Sequence, residues 1–227
     1  IDGVNTWFAS KAAAERGYKV VLSGVGGDEL FCGYASFSRI PRLASIGSVA
    51  AKIPGISFLT GAAGYWLAKR YSKPKIAGLK DFMDSLEGLY FLNRCLFLPQ
   101  ELPSLMDADL AVEGLSRLNG TPPGMISANA RSGSTAIGLL ESTHYLRNQL
   151  LRDSDWASMG HSLELRTPLV DTALLTSLGP FIDDFIGGVG KKLLAGAPVN
   201  PLPASIIDRP KTGFSLPMPQ WLPSALD

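Results

Sequence analysis

The chain carries almost no excess charge: 21 Lys and Arg against 20 Asp and Glu leave +1 at neutral pH. A field that weak recruits neither nucleic acid nor an anionic membrane, and neither partner is expected. Cysteine is scarce. Cys32 and Cys95 lie far apart and outside any Cys-x-x-Cys spacing, which argues against a disulfide framework and against a zinc site. Two reduced thiols point to a cytoplasmic protein. The only histidines, His144 and His161, sit in helical surroundings with no zinc-ligand pattern. No apolar run reaches the length of about 18 residues that a membrane-spanning helix needs. The nearest, Leu43 to Leu67, is interrupted by Lys52 and Pro54-Gly55 and reads as two packed helices joined at a turn. The first residues, Ile1-Asp2-Gly3-Val4-Asn5, hold no Met and no basic-then-apolar leader. The chain is therefore expected to begin inside a longer gene product.

What is present is a normal apolar content, 46% of 227 residues, with a low charged fraction of 18%. Globular chains usually carry about 25% charge. Two readings fit: a well-buried enzyme core, or a part whose apolar face is covered by sequence outside it. The second is preferred, because the pattern yields one convincing buried strand, and a parallel sheet needs more. The missing strands are expected upstream of Ile1. Alone, such a part should expose an apolar face and self-associate, a homodimer being one such form.

The pattern along the chain is as follows. Asn5 to Arg16 reads as a helix with Trp7, Phe8, Ala12 and Ala13 on one face and Gly17 as its stop. Tyr18 to Leu22 is a short β-branched run feeding Ser23-Gly24. Asp28-Glu29-Leu30-Phe31 opens a helix with acids in its first turn. Residues 1–40 thus form one strand–Gly loop–helix unit of a parallel α/β fold. Residues 41–227 read as mainly helical. Short broken helices run to about Arg131, and a longer helical stretch spans Thr135 to Leu163, with a core stripe of Leu139, Leu140, Tyr145, Leu146, Leu150 and Leu151. An extended piece, Leu163 to Thr167, precedes a helix from Thr172 to Leu178 capped by Asp171. The proline-rich tail, Pro198 to Pro223, is expected to cross the surface in extended form.

The chemistry concentrates at Ser23-Gly24-Val25-Gly26-Gly27-Asp28-Glu29. The loop stands at the carboxyl end of a strand, where α/β folds place ligands. Glycines let backbone approach a ligand, and successive N–H groups make an anion nest. Two acids beside such a nest repel phosphate unless a cation intervenes. Mg²⁺, held by one or two carboxylates plus phosphate oxygens, resolves that conflict. The residues alone leave a second reading open, a tight strand-to-helix turn with acidic capping residues.

Followed by Leu30-Phe31-Cys32-Gly33-Tyr34, this loop resembles the Ser-Gly-x-Gly-[Gly/Ser]-Asp-Glu-x-Phe-x-Gly-Tyr signature of glutamine-hydrolysing asparagine synthetases. A second block, from Tyr145-Leu146 through Asp155, Ser158-Met159, Ser162-Leu163-Glu164, Arg166, Pro168-Leu169 and Asp171, is similar to that family's following helix and turn. A third, Arg209-Pro210-Lys211 with Gly213-Phe214, Pro217 and Trp221, resembles its C-terminal segment. The resemblance implies the C-terminal part of an ATP-pyrophosphatase synthetase domain. Its parent fold would be α/β, adenine nucleotide alpha-hydrolase-like, with a parallel sheet and flanking helices, and this stretch would be predominantly α-helical. The implied reaction uses ATP and Mg²⁺. A carboxylate, the aspartate side chain first among candidates, becomes an acyl-adenylate with loss of pyrophosphate, and ammonia from glutamine then displaces AMP to give asparagine.

Carried over position by position, the resemblance sets Ser23, Gly24, Gly26 and Gly27 against the nucleotide and Asp28 on Mg²⁺ and the pyrophosphate. Lys211 supplies a catalytic cation to the phosphates, where preorganised charge counts most. Lys192 is a further phosphate contact or else a solvated helix lysine. Glu164 is an acid or electrostatic partner in the acyl pocket or else half of a buried ion pair with Arg166. Two departures stand out. Val25 occupies a place where the family often has Glu, and it performs no acid–base chemistry. The family's Ser-Gly-Gly-x-Asp-Ser pyrophosphate loop and its N-terminal glutaminase domain are absent from these residues, and Ser132-Gly133-Ser134-Thr135 is only an echo of that loop. The residues present are expected to be inactive alone. Competing readings are an amidotransferase or cyclase acting on another carboxylate, and a non-catalytic nucleotide-binding paralogue.

Overall fold

The computed structural model describes residues 2–50, 70, 74–117 and 130–209. Helix α1 (Asp2–Glu15) stops before Gly17, whose φ of 82° is left-handed and suits a residue without a Cβ. The chain reverses into β1 (Val20–Leu22), turns through the glycine loop into the single-turn α2 (Gly27–Leu30), and enters α3 (Ser36–Ala50). Short helices α4 (Leu79–Phe82), α5 (Leu86–Arg94) and α6 (Ala108–Arg117) follow. A long helical rod then runs as α7 (Gly133–Leu140), a π-helical stretch (Glu141–Leu150) and α8 (Leu151–Met159). Strand β2 (Glu164–Arg166), helix α9 (Thr172–Leu178), a 3₁₀ stretch (Gly179–Gly188), α10 (Val189–Gly196) and α11 (Ala204–Ile207) complete it. No helix among the described residues is long and apolar enough to cross a membrane.

The fold is mostly helical with a two-stranded parallel sheet, Val20 opposite Glu164, Val21 opposite Leu165 and Leu22 opposite Arg166. This corrects the expectation that β1 finds its partners only outside the chain: the extended piece after α8 supplies one. The pairing continues past the strand ends, with Glu164 N donating to Lys19 O at 2.9 Å and Ser23 N donating to Arg166 O at 2.8 Å. The expectation of a buried strand also needs correction. Val20 is 41% and Leu22 75% exposed, because a two-stranded ribbon cannot cover both of its own faces.

The core is built by α3, α5 and α7. Phe37 and Ile40 meet Leu89, Tyr90, Ile137 and Leu140, and Leu30, Phe31, Cys32 and Phe185 extend the cluster towards the glycine loop. Burying each large side chain contributes about 1.5–3 kcal/mol, so this cluster anchors α2 although it is one turn long. Of the expected stripe on the rod, Leu140 and Leu146 are buried but Leu139 is exposed. Phe8 of α1 is likewise exposed, while the Trp7 ring packs at a tilt against the His161 ring, 4.2 Å between centroids. Asp171 caps α9 as the sequence predicts, its Oδ1 accepting from Leu174 N at 2.9 Å. The Leu43 to Leu67 break at Pro54-Gly55 and most of the proline-rich tail lie outside the described residues.

Candidate functional site

The glycine loop stands where the sequence places it, at the carboxyl end of β1. Ser23 Oγ accepts from Val25 N at 3.2 Å and Gly27 N donates to Gly24 O at 3.1 Å, so the loop closes on itself. Gly26 takes φ 93°, and a Cβ there would meet Val170 Cγ2 at 2.7 Å. A side chain at this position is excluded twice over, by backbone conformation and by the wall behind it. Leu169 and Val170, just after β2, form that wall. The second of the three sequence blocks therefore backs the first.

Asp28 opens from α2 towards α10. Its Oδ1 lies 2.5 Å from Lys191 Nζ, with both side chains partly solvent-exposed. Gly33 makes the approach possible: a Cβ there would fall onto the Asp28 carboxylate and lie 2.5 Å from Lys191 Cε. Glycine in the Phe-x-Gly-Tyr turn is thus explained by the carboxylate beside it. No group of three or more metal-binding side chains exists among the described residues. One carboxylate beside the glycine loop nonetheless fits Mg²⁺, which takes one or two carboxylates and completes its shell with phosphate and water oxygens. Asp28 is the residue that would hold it.

Glu29 points the other way. It is buried, and Tyr34 OH donates to its Oε1 at 2.8 Å. Burial raises its pKa despite that bond, and burial next to Glu29 also raises the Tyr34 phenol. Cys32, with φ 53°, buries its thiol and donates to Ile182 O at 3.3 Å; burial pushes its pKa up to about 12.

The other residues expected at the site are placed as follows. Lys192 projects from α10 with its side chain 69% exposed and sits 3.7 Å from Asp208. Its neighbour Lys191 is the lysine that reaches the loop, and a helix turns adjacent residues to different faces. Glu164 pairs with Arg166 at 2.8 Å, as one reading held, but the pair is exposed rather than buried. Lys211 lies outside the described residues. The Ser132-Gly133-Ser134-Thr135 echo has a structural role: Ser132 caps α7 by accepting from Thr135 N and donates to Asp183 Oδ1 at 2.6 Å.

Sequence reasoning missed a buried polar network next to the loop. Glu141, fully buried at the start of the π-helical stretch, accepts from Arg94 Nη2 at 2.6 Å, Arg94 Nε at 3.0 Å, Ser36 Oγ at 2.9 Å and Tyr90 OH at 3.3 Å. The Arg94 guanidinium lies 3.7 Å from the Tyr145 ring centre and 4.7 Å from that of Tyr34. Burial alone would lower the Arg94 pKa; the Glu141 carboxylate outweighs it and raises it. Arg94, Tyr145, Lys75, His144 and Asp2 line an open cavity of about 670 Å³. It is larger than the cavity of about 410 Å³ that runs from Ser23 back along α1. Only the partial Tyr145-Leu146 match hinted at this network. Arg94 and Glu141 are too far apart in the chain for spacing to pair them.

Comparison with known proteins identifies the family. The Asparagine synthase family profile matches residues 2–227, and the chain belongs to that family. It is 25% identical over 237 residues to asparagine synthetase [glutamine-hydrolyzing] 1 of Bacillus subtilis (strain 168), an alignment covering 97% of this chain and 34% of that protein. It is 26% identical over 242 residues to a putative asparagine synthetase [glutamine-hydrolyzing] of Mycobacterium tuberculosis (strain H37Rv), covering 92% of this chain and 31% of the relative. A putative asparagine synthetase [glutamine-hydrolyzing] 1 of Methanocaldococcus jannaschii is 58% identical over 40 residues, 18% of this chain and 7% of that protein. The chain thus spans about a third of the length of the first two relatives. No solved structure matches.

Proposed function

We propose that this chain is part of an ATP-dependent, amide-forming ligase that activates a carboxylate by adenylation. The observation that carries the reading is the glycine loop at the carboxyl end of a parallel strand pair, with the Asp28 carboxylate and the Lys191 ammonium meeting beside it. Ser23, Gly24, Gly26 and Gly27 cradle the nucleotide. Asp28 would hold Mg²⁺, which when bound would supply charge neutralisation to the phosphates. Lys191, and Lys211 from the Arg209-Pro210-Lys211 segment, meet the charge that grows on pyrophosphate as it leaves. Lys192 stands as an outer phosphate contact.

In the first step a substrate carboxylate oxygen attacks the α-phosphorus and the bond to pyrophosphate breaks. In the second, ammonia attacks the acyl carbon and AMP leaves with the bonding pair. Catalysis of this kind is mostly positioning and charge neutralisation. Aspartate is the acyl substrate and glutamine the nitrogen source that the relatives' names support. Glu164 serves the acyl pocket in this reading. Val25 favours a second reading, a relative acting on another carboxylate, because an apolar side chain in the loop offers no proton acceptor to the acyl group.

The test is ATP–pyrophosphate exchange by the full-length protein with Mg²⁺ and a panel of carboxylates, beside Lys211→Ala. Exchange that requires one acid and collapses in the variant establishes adenylation and names the substrate. ATP binding without exchange for any acid identifies a non-catalytic nucleotide-binding paralogue instead.

A further inference from the structure

The ion pair beside the glycine loop joins two groups that the proposed nucleotide site uses separately. Lys191 Nζ stands 2.5 Å from Asp28 Oδ1. An ammonium on one oxygen of a carboxylate competes with a metal ion for that oxygen and repels an ion on the other. Asp28 thus already has a cation in this fold, supplied by the chain itself. The backbones that deliver the two groups are pinned together. Gly190, the residue before the lysine, packs so closely that a Cβ there would lie 2.6 Å from Phe31 O and 2.7 Å from Phe185 Cβ. Phe31 directly follows α2. It and Phe185 are both buried, with their ring centroids 5.6 Å apart. Gly188, at φ 90°, starts α10 against this seat.

The tips of the pair are held less firmly than its base. The side chains of Lys191 and Asp28 are 44% and 27% exposed, and an ion pair that water reaches contributes little to stability. Firm backbone anchorage with exchangeable ends suits a pair that opens and re-forms without moving α2 or α10. A polyphosphate offers the ammonium several anionic oxygens in place of one, a stronger partner for a point charge on a flexible stem. We infer that Lys191 is a built-in counter-cation for Asp28: it occupies the carboxylate until nucleotide phosphates draw it off, so that the divalent ion settles only together with nucleotide. This rests on the nucleotide site proposed above and adds an order of binding to it.

The experiment titrates Mn²⁺, without nucleotide, into the full-length protein and its Lys191→Met, Lys191→Arg and Lys11→Met variants, reading the free ion by electron paramagnetic resonance. MgATP binding is measured on the same proteins. Lys191→Met should bind Mn²⁺ about tenfold more tightly than wild type, because the competing ammonium and its repulsion are both gone. It should bind MgATP about tenfold more weakly, because a charged phosphate contact is lost. Adding Asp28→Asn to Lys191→Met should abolish the gain in Mn²⁺ affinity. Lys191→Arg keeps a cation on Asp28 and should hold Mn²⁺ no more tightly than wild type. Lys11→Met removes the same charge from α1, where the lysine pairs with Glu15 at 3.9 Å, and should leave Mn²⁺ affinity at the wild-type value. If Lys191→Met gains no affinity for Mn²⁺ while wild type binds MgATP, the inference is overturned and the nucleotide site stands. Equal tightening in Lys11→Met overturns it too, by assigning the effect to net charge. Wild type that does not bind MgATP overturns the proposed function itself.

Discussion

The Glu141 network offers the sharpest test of the packing around the loop. Replacing Glu141 with Leu removes the acceptor of Arg94 Nε, Arg94 Nη2 and Ser36 Oγ in one step. Tyr90 OH keeps a second partner, Leu140 O at 3.2 Å, so the loss falls on Arg94 and Ser36. Breaking a fully buried ion pair by deleting one member costs about 3–5 kcal/mol. The Arg94 side chain is 26% exposed while Glu141 is at 0%, so water reaches the stranded guanidinium and the expected loss is about 2–4 kcal/mol. In urea, with a slope of about 1–3 kcal/mol/M, the midpoint should fall by roughly 1–2 M.

The companion Arg94→Met strands the buried carboxylate and should cost at least as much. The double variant Arg94→Met/Glu141→Leu removes both charges together and should be more stable than either single one, a coupling of about 1–3 kcal/mol. Equilibrium urea unfolding followed by tryptophan fluorescence reads all four proteins. Additive losses, with the double variant as unstable as the two singles summed, would refute the reasoning, because the charges would then not answer each other.

Three further outcomes are expected. Gly33→Ala should cost about 1–3 kcal/mol through overpacking and weaken pyrophosphate exchange, since the new methyl displaces the Asp28 carboxylate from Lys191; wild-type stability and exchange together would contradict that placement. Lys191→Ala should cut exchange by roughly 10²-fold, as removal of a charge-stabilising donor does, whereas Lys192→Ala, at the outer contact, should change it little; the opposite ranking would make Lys192 the principal phosphate contact. Cys32 titrates at about 12 in the fold against 9.0 for a free thiol. A raised folded pKa means that the native state holds the proton longer, so stability falls as pH climbs from about 9 towards about 12. Tyr34 and Tyr90 act in the same direction. The comparison with Cys32→Ala isolates the thiol: melting temperature should fall less steeply with pH in the variant, and identical slopes would rule the contribution out.

Much of the site's frame was legible because it rests on local rules. A β-branched run before Ser23-Gly24, acids after a glycine string, and an Asp before Thr172 each state their structure within a few residues. What escaped depends on contacts between distant positions. The stretch after α8 reads as merely extended, and only its register with Val20 to Leu22 makes it a strand. Phe8 and Leu139 fit an apolar stripe, but each stays exposed, because which face meets the core is decided by packing between distant elements and not by the local pattern. Lys191 and Lys192 are equivalent in composition. The turn of α10 separates them, sending one to Asp28 and the other to solvent.

Two carboxylates adjacent in sequence have been given opposite surroundings, and this distinction bears most directly on function. Asp28 remains partly exposed beside a lysine that a phosphate can compete for. Glu29 is buried against Tyr34, with its pKa raised by burial, and braces α2 against the rod through Tyr34, Tyr145 and Arg94. A capping turn alone would not need this division, since either acid in the first turn of α2 would serve it equally. In the proposed magnesium–phosphate site, Asp28 would be the carboxylate that meets the cation, mounted on a turn that its buried neighbour braces.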